Sequence, residues 1–146
     1  MSSLDKPQLR GLIPHAGSMC LLDTVEDWSA DLIRCTSATH RDVGNPLRHN
    51  GELAALHLVE YGAQAMAIHG ALLAQGGPQA GMLGALRDIR LHVARIDDLG
   101  DILIVSATRR LARADGLIYD FVVELGESLR RRLCEGRISV VLNDMR

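Results

Sequence analysis

Two periodicities divide this chain. Residues 18–40 read as two strands, LLDTVEDW and DLIRCTSAT, with Ser29-Ala30-Asp31 supplying the turn of a hairpin. In the second half, LRDIRLHVARI sets Ile89, Leu91 and Val93 in alternation with Arg90 and His92. LIYDFVVEL likewise sets Leu117, Tyr119, Phe121, Val123 and Leu125 against Asp120 and Glu124. ILIVSATRRLA lies between them, entered through Leu99-Gly100-Asp101 and left through the hairpin signal Asp115-Gly116. Gly126-Glu127 then introduces RRLCEGRISVVL.

Residues 41–50 carry Gly44, Asn45, Pro46 and Asn50, a loop composition that includes potential helix caps. The one long helix is predicted over about residues 52–75, stopped by Gly76-Gly77-Pro78. Small residues (Ala54, Ala55, Gly62, Ala63, Ala65, Ala67, Gly70, Ala71, Ala74) mix there with Leu, Val, Met and Ile on nearly every side. A surface helix shows one apolar stripe, so this pattern predicts a helix enclosed by the strands. The order of strands and helix gives an α+β domain in which five to six antiparallel strands curve around a central helix. It is expected to occupy residues 1–146 as one domain, with residues 1–11 loosely packed or poorly ordered. A sheet of this kind leaves an edge open, which a second subunit can cover.

Composition narrows the function. With 146 residues, 47% hydrophobic and a formal net charge of -2, the chain can build a core and has no electrostatic footprint for nucleic acid. Lys6 is the only lysine, which argues against Schiff-base chemistry. An aromatic share of 3% argues against base-stacking platforms. Cys20, Cys35 and Cys134 lack metal or redox spacing and read as small buried residues of a reducing compartment. No segment resembles a signal peptide or reaches membrane-spanning length, so a cytoplasmic location without membrane insertion is expected. No cofactor or metal motif is present.

Candidate chemistry lies in LHLVEYGAQAMA, where His57, Glu60 and Gln64 share one helical stripe. Burial of Glu60 in an enclosed helix would raise its pKa, as a general acid requires, and Gln64 could orient it. His57 reads as a surface residue. Among the other histidines, His49 is expected to be exposed, His69 to be a hydrogen-bonded core residue and His92 to be solvated.

The segments LIPHAGSMCLLDTVEDW, VEYGAQAMA and LRDIRLHVARIDDLGDILIVSATRR resemble, in order and spacing, motifs of the beta-hydroxyacyl-acyl-carrier-protein dehydratases, which have the hot-dog fold. LIPHAGSM, NPLR and EYGAQAMAIHGALL are more similar still to dehydratase-like proteins of bacterial aryl-polyene and xanthomonadin-type pigment clusters. The resemblance implies removal of water from a 3-hydroxyacyl thioester to give the trans-2-enoyl thioester, with an acyl carrier protein or CoA thioester as substrate. It also implies a homodimer, or a heterodimer with another hot-dog subunit. Glu60 then corresponds to the helix acid of the family. The family's loop histidine is replaced: the loop reads Gly44-Asn45-Pro46-Leu47-Arg48, and Pro46 falls at its position. His15 and His40 are the candidate bases, and Gln64, Asn45 and Tyr61 the candidate substrate-binding residues. The missing histidine keeps open a catalytically silent subunit that stabilises an active partner; a thioesterase is the third reading.

Overall fold

The computed structural model describes residues 3–13, 19–74 and 81–142. A short helix, α1 (Lys6–Arg10), precedes a hairpin of β1 (Thr24–Trp28) and β2 (Leu32–Ser37). After 3-10 turns at Thr39–Arg41 and Ala55–His57 comes α2 (Leu58–Leu73). Four strands follow: β3 (Gly81–Leu91), β4 (Leu103–Arg113), β5 (Gly116–Leu125) and β6 (Arg131–Leu142). All six pair antiparallel in the order β1-β2-β4-β5-β6-β3, and α2 lies against β2, β4, β5 and β6.

The alternation seen in the sequence decides which side of each strand meets the helix. Ile33 and Cys35, Leu103, Val105 and Ala107, and Tyr119, Phe121 and Val123 are all buried. Outer positions hold ion pairs instead: Asp120 accepts from Arg110 (2.9 Å) and Arg137 (2.8 Å), and His92 meets Glu135 (2.9 Å). The Arg137 bond holds the Asp120 carboxyl below its usual range, with Arg110 adding to it.

Three expectations need correction. The helix begins near residue 58 rather than 52, because the preceding backbone is spent on another segment. Leu53 donates to Asp97 Oδ1 (2.8 Å) and accepts from Ile96 (2.9 Å), while Ala55 donates to Ala94 (3.0 Å). The first strand of the second half starts at Gly81 and ends at Leu91, so His92 to Asp97 form the loop that makes those contacts. Nor is residues 1–11 a loose tail throughout. Asp5 caps α1 in a capping box with Gln8, Leu9 is fully buried, and the Lys6 ammonium donates to the Cys20 and Leu22 carbonyls and pairs with Asp23. The expected helix stop, residues 76–78, lies outside the described residues.

The seat of α2 on the sheet is set by glycine. A Cβ on Gly62 would stand 2.6 Å from Phe121 Cδ2, and one on Gly136 would meet Phe121 Cε1 at 3.0 Å and collide with Ile89. Phe121, 1% exposed, therefore fills the gap between helix and sheet that two absent side chains create. Gly62→Ala should cost about 1–3 kcal/mol through overpacking, read as a lower urea midpoint with unchanged slope. Adding Phe121→Leu to that variant should recover part of the loss, and an undiminished midpoint in Gly62→Ala would contradict this packing.

Candidate functional site

The helix is not enclosed all round, as its composition suggested. Turned so that Gly62 meets the sheet, α2 presents the opposite stripe to the outside. Glu60 and Ala67 are exposed there, with Ala63, Gln64 and Gly70 half-buried, and Leu56 in the preceding turn is 58% exposed. Glu60 is the only ionisable group among the α2 residues of this stripe, its side chain 51% exposed. Its expected burial is thus corrected for the single chain. Its partner is His57, whose Nδ1 lies 2.9 Å from Oε2. With the carboxylate accepting, Nδ1 carries the proton. Nε2 is left with its lone pair and no partner among the described residues. A histidine held in one tautomer by a carboxylate, with its other nitrogen free, can take up and return a proton.

Gln64 does not orient Glu60. Its Oε1 accepts from Leu21 N–H (2.9 Å) and its Nε2 donates to the Met19 carbonyl, so it ties the segment before β1 to the helix. Leu21 continues the network on its other side. Thr39 Oγ1 donates to the Leu21 carbonyl (2.7 Å), which leaves Thr39 to accept from the Tyr61 hydroxyl (2.8 Å). Tyr61 in turn accepts from Asn45 Nδ2 (3.1 Å). Asn45 also donates to the Thr39 carbonyl (2.9 Å) and accepts from Leu47 N–H (2.9 Å). The structure thus joins Asn45, Tyr61 and Gln64 in one network, but their polar atoms are spent on one another and on backbone. They position the loop of residues 39–48 and the segment 19–21 against α2. Burial, first among the causes, raises the Tyr61 pKa and keeps the hydroxyl neutral.

The candidate bases fare differently. His40 is fully buried, its Nε2–H donating to the Leu99 carbonyl (3.0 Å), and its Nδ1 is a buried acceptor without a partner among the described residues. Burial lowers its pKa, so the ring is neutral but sealed. His15 lies outside the described residues; Met19, four residues on, is fastened to Gln64, one helical turn from Glu60. His69 is the core histidine expected: Nε2–H donates to the Ser29 carbonyl (2.7 Å) and Nδ1 accepts from the Tyr119 hydroxyl. The cysteines are buried and free, and burial pushes the Cys35 and Cys134 thiols up to about 12. Neither is a nucleophile at neutral pH. Sequence reasoning set His57 aside although its i,i+3 spacing to Glu60 was the signal for the pair. The Thr39 and Leu21 links had no such signal, because they depend on where the segments flanking the β1–β2 hairpin cross the helix.

Comparison with known proteins gives this geometry a family. The model of the ApeP-like family, described as ApeP dehydratase, matches residues 7–145. The chain belongs to that family. Among solved structures it is similar to the dehydratase heterocomplex ApeI:P from Xenorhabdus doucetiae, with TM-score 0.78 and 20% identity over 94% of this chain and 91% of that one. It also resembles thioesterase HI1161 from Haemophilus influenzae, with TM-score 0.67 and 11% identity over 97% and 92%. A third is a hypothetical thioesterase with coenzyme A from Streptococcus pneumoniae TIGR4, with TM-score 0.57 and 16% identity over 84% and 86%. Comparison with curated proteins gave no match. The chain therefore has the α+β hot-dog fold, with six strands and one main helix among the described residues, as the sequence implied. No helix among the described residues is long and apolar enough to cross a membrane.

The two buried histidines make stability depend on pH. Their pKa values are lowered on folding, chiefly by burial, so the unfolded chain binds protons first as the medium is acidified. Their contribution is intact above the unfolded value of about 6.5 and is lost as pH falls from there towards the folded values. The urea midpoint should decline through this window, and less steeply in a His40→Gln, His69→Gln double variant compared with its own value at pH 8. Equal slopes would remove both rings from the pH response.

Proposed function

We propose that this chain is a cytoplasmic dehydratase subunit that removes water from a 3-hydroxyacyl thioester, borne by an acyl carrier protein or coenzyme A, to give the trans-2-enoyl thioester. The setting would be fatty-acid or aryl-polyene type biosynthesis. The observation that carries the reading is the Glu60–His57 pair on the open stripe of α2 in a chain of the dehydratase family. His57 Nε2 takes the C2 proton as charge moves onto the thioester carbonyl. The resulting imidazolium then gives that proton to the C3 hydroxyl, which leaves as water while the C2–C3 double bond forms. Glu60 fixes the ring and offsets its transient charge, a partner to the base rather than the acid expected from sequence.

A second hot-dog subunit, identical or different, completes the unit. One outer strand, β1, is met by the Leu4–Val25 bridge, whereas β3 pairs only with β6 among the described residues and exposes Leu83, Leu86 and Leu91. The heterocomplex among the structural neighbours supports a partner of a different sequence. A silent subunit is the second reading, favoured by Pro46 at the loop histidine's place and by an Asn45 amide already fully engaged.

The test incubates the purified protein, alone and with an active hot-dog partner, with 3-hydroxydecanoyl carrier protein. Enoyl product is expected, with Glu60→Gln and His57→Gln each slowing turnover by about 10²-fold or more at unchanged elution volume and thermal midpoint; His15→Gln is the comparison variant. Turnover indifferent to both substitutions would sink the mechanism. Activity found only with the partner and indifferent to both would favour the silent subunit, and release of free acid would favour a thioesterase.

A further inference from the structure

His57 and Glu60 approach to 2.9 Å from two different elements. Glu60 stands in the first turn of α2, whose seat Gly62 sets two residues further on, whereas His57 ends the 3-10 turn Ala55–His57. Among the described residues no side chain caps either element at its start. The first N–H groups of a helix lack intrahelical partners, and an end without a cap frays. What holds this end is the loop after β3.

Three bonds join the two segments. Leu53 N–H donates to Asp97 Oδ1 (2.8 Å), Ile96 N–H to the Leu53 carbonyl (2.9 Å) and Ala55 N–H to the Ala94 carbonyl (3.0 Å). Two of them run between backbones; the one through Asp97 depends on a side chain. Arg95 aims that carboxylate: its Nε donates to Oδ1 (3.0 Å) and its Nη2 to Oδ2, while Nη1 donates to Glu52 Oε1 (3.1 Å) on the other side of the junction. The Arg95 fork, with the Leu53 N–H behind it, holds the Asp97 carboxyl well below the usual carboxylate range. The loop is a firm base, because His92 N–H donates to the Leu133 carbonyl (2.9 Å), Leu99 N–H donates to the Ile96 carbonyl (3.1 Å), and Leu53 and Ile96 are both fully buried.

We propose that Asp97 is a positioning residue for His57: it clamps residue 53 to the loop of residues 92–97 and so keeps the imidazole against Glu60, with Nδ1 protonated and Nε2 free for the substrate. This rests on the reading of the Glu60–His57 pair as the proton carrier. Asp97 acts only through the chain, four residues ahead of the ring. A displacement of about 1 Å caused by a change far from the chemistry can slow turnover about a hundredfold; the two backbone bonds that remain without Asp97 make a smaller loss the expectation here.

Long-range proton–nitrogen NMR spectra of the nitrogen-15-labelled full chain, with the His57 signals assigned through His57→Gln, read the tautomer directly at about pH 8, where an ordinary imidazole is neutral. The native ring should show chiefly Nδ1–H. Asp97→Ala should lose that bias, and kcat for 3-hydroxydecanoyl carrier protein, measured with the hot-dog partner where turnover needs it, should fall about tenfold at unchanged KM. Asp97→Asn keeps an oxygen for the Leu53 N–H and should restore part of both. Asp120→Ala, which removes a carboxylate with two arginine partners from the outer face of the sheet, should lower the thermal midpoint and leave tautomer and kcat as they were. Arg95→Gln leaves Asp97 unaimed; it should give a smaller change in the same direction and decides the matter if Asp97→Ala does not fold. An unchanged His57 tautomer in the deciding variant, an equal change in Asp120→Ala, or a loss in Asp97→Asn as large as in Asp97→Ala would each overturn the proposal. A lost tautomer bias with unaltered turnover would uphold the clamp and count against the reading of the pair instead.

Discussion

Helix and sheet meet where Phe121 occupies the room left by Gly62 and Gly136, and that contact orients everything the helix carries. Because successive residues turn by about 100°, placing residue 62 against the sheet sends residues 60 and 64 to the far side. The same rotation buries Tyr61 and Ala65 on the flanks. A larger residue at 62 would push the helix away from the sheet or roll it, and either movement would take Tyr61 from Thr39 and Gln64 from Leu21. The exposure of Glu60 is thus a consequence of packing at a residue two positions away that has no chemistry of its own.

Polar groups near the helix fall into two classes, and burial separates them. Asn45, Thr39, Tyr61, Gln64 and the Leu21 peptide form a closed set in which donors and acceptors answer one another, the form in which buried polar groups are stable. Glu60 and His57 form a pair with a ring nitrogen left over, and they stand at the surface, where an unanswered nitrogen costs little. His40 is an exception inside: its spare nitrogen finds no partner among the described residues, a destabilising arrangement that the hydrogen bond to Leu99 only partly offsets.

The strands were legible because each has one face in the core, which writes its alternation into the sequence; LIYDFVVEL and RRLCEGRISVVL match β5 and β6 with little error. The helix boundary was not, because residues 53–55 have apolar, helix-compatible side chains and their backbone groups are drawn off by the backbone of Ala94 and Ile96 and the carboxylate of Asp97, which no local pattern records. The open stripe was misread for a related reason. Alanine is compatible with a buried or an exposed helix face alike, so Ala63, Ala67 and Ala74 could not report which side the sheet leaves uncovered. At the site, spacing was enough to group His57, Glu60 and Gln64 but not to divide them into a surface pair and a tether, since that depended on where the segment before β1 crosses the helix.

The two borders of the sheet differ in a way that bears on assembly. β1 is short, its pairing with β2 is broken by a bulge near Asp27, and Leu4 already exchanges hydrogen bonds with Val25. β3 runs for eleven residues and meets no other strand on its outer side among the described residues. Its pairing with β6 is irregular between Leu83 and Ala85 and again between Arg87 and Arg90, where Asp88 takes a φ of 54°. Such irregularities twist an edge and discourage indiscriminate pairing. The exposed Leu83, Leu86 and Leu91 nonetheless leave an apolar row on this border, 62%, 43% and 42% accessible, that gains from cover. An edge that is long and apolar yet bent at two fixed points admits only a strand whose own bends match. Under the proposed pairing with a second hot-dog subunit, selectivity would be built into the backbone of β3 itself, without a charged recognition patch.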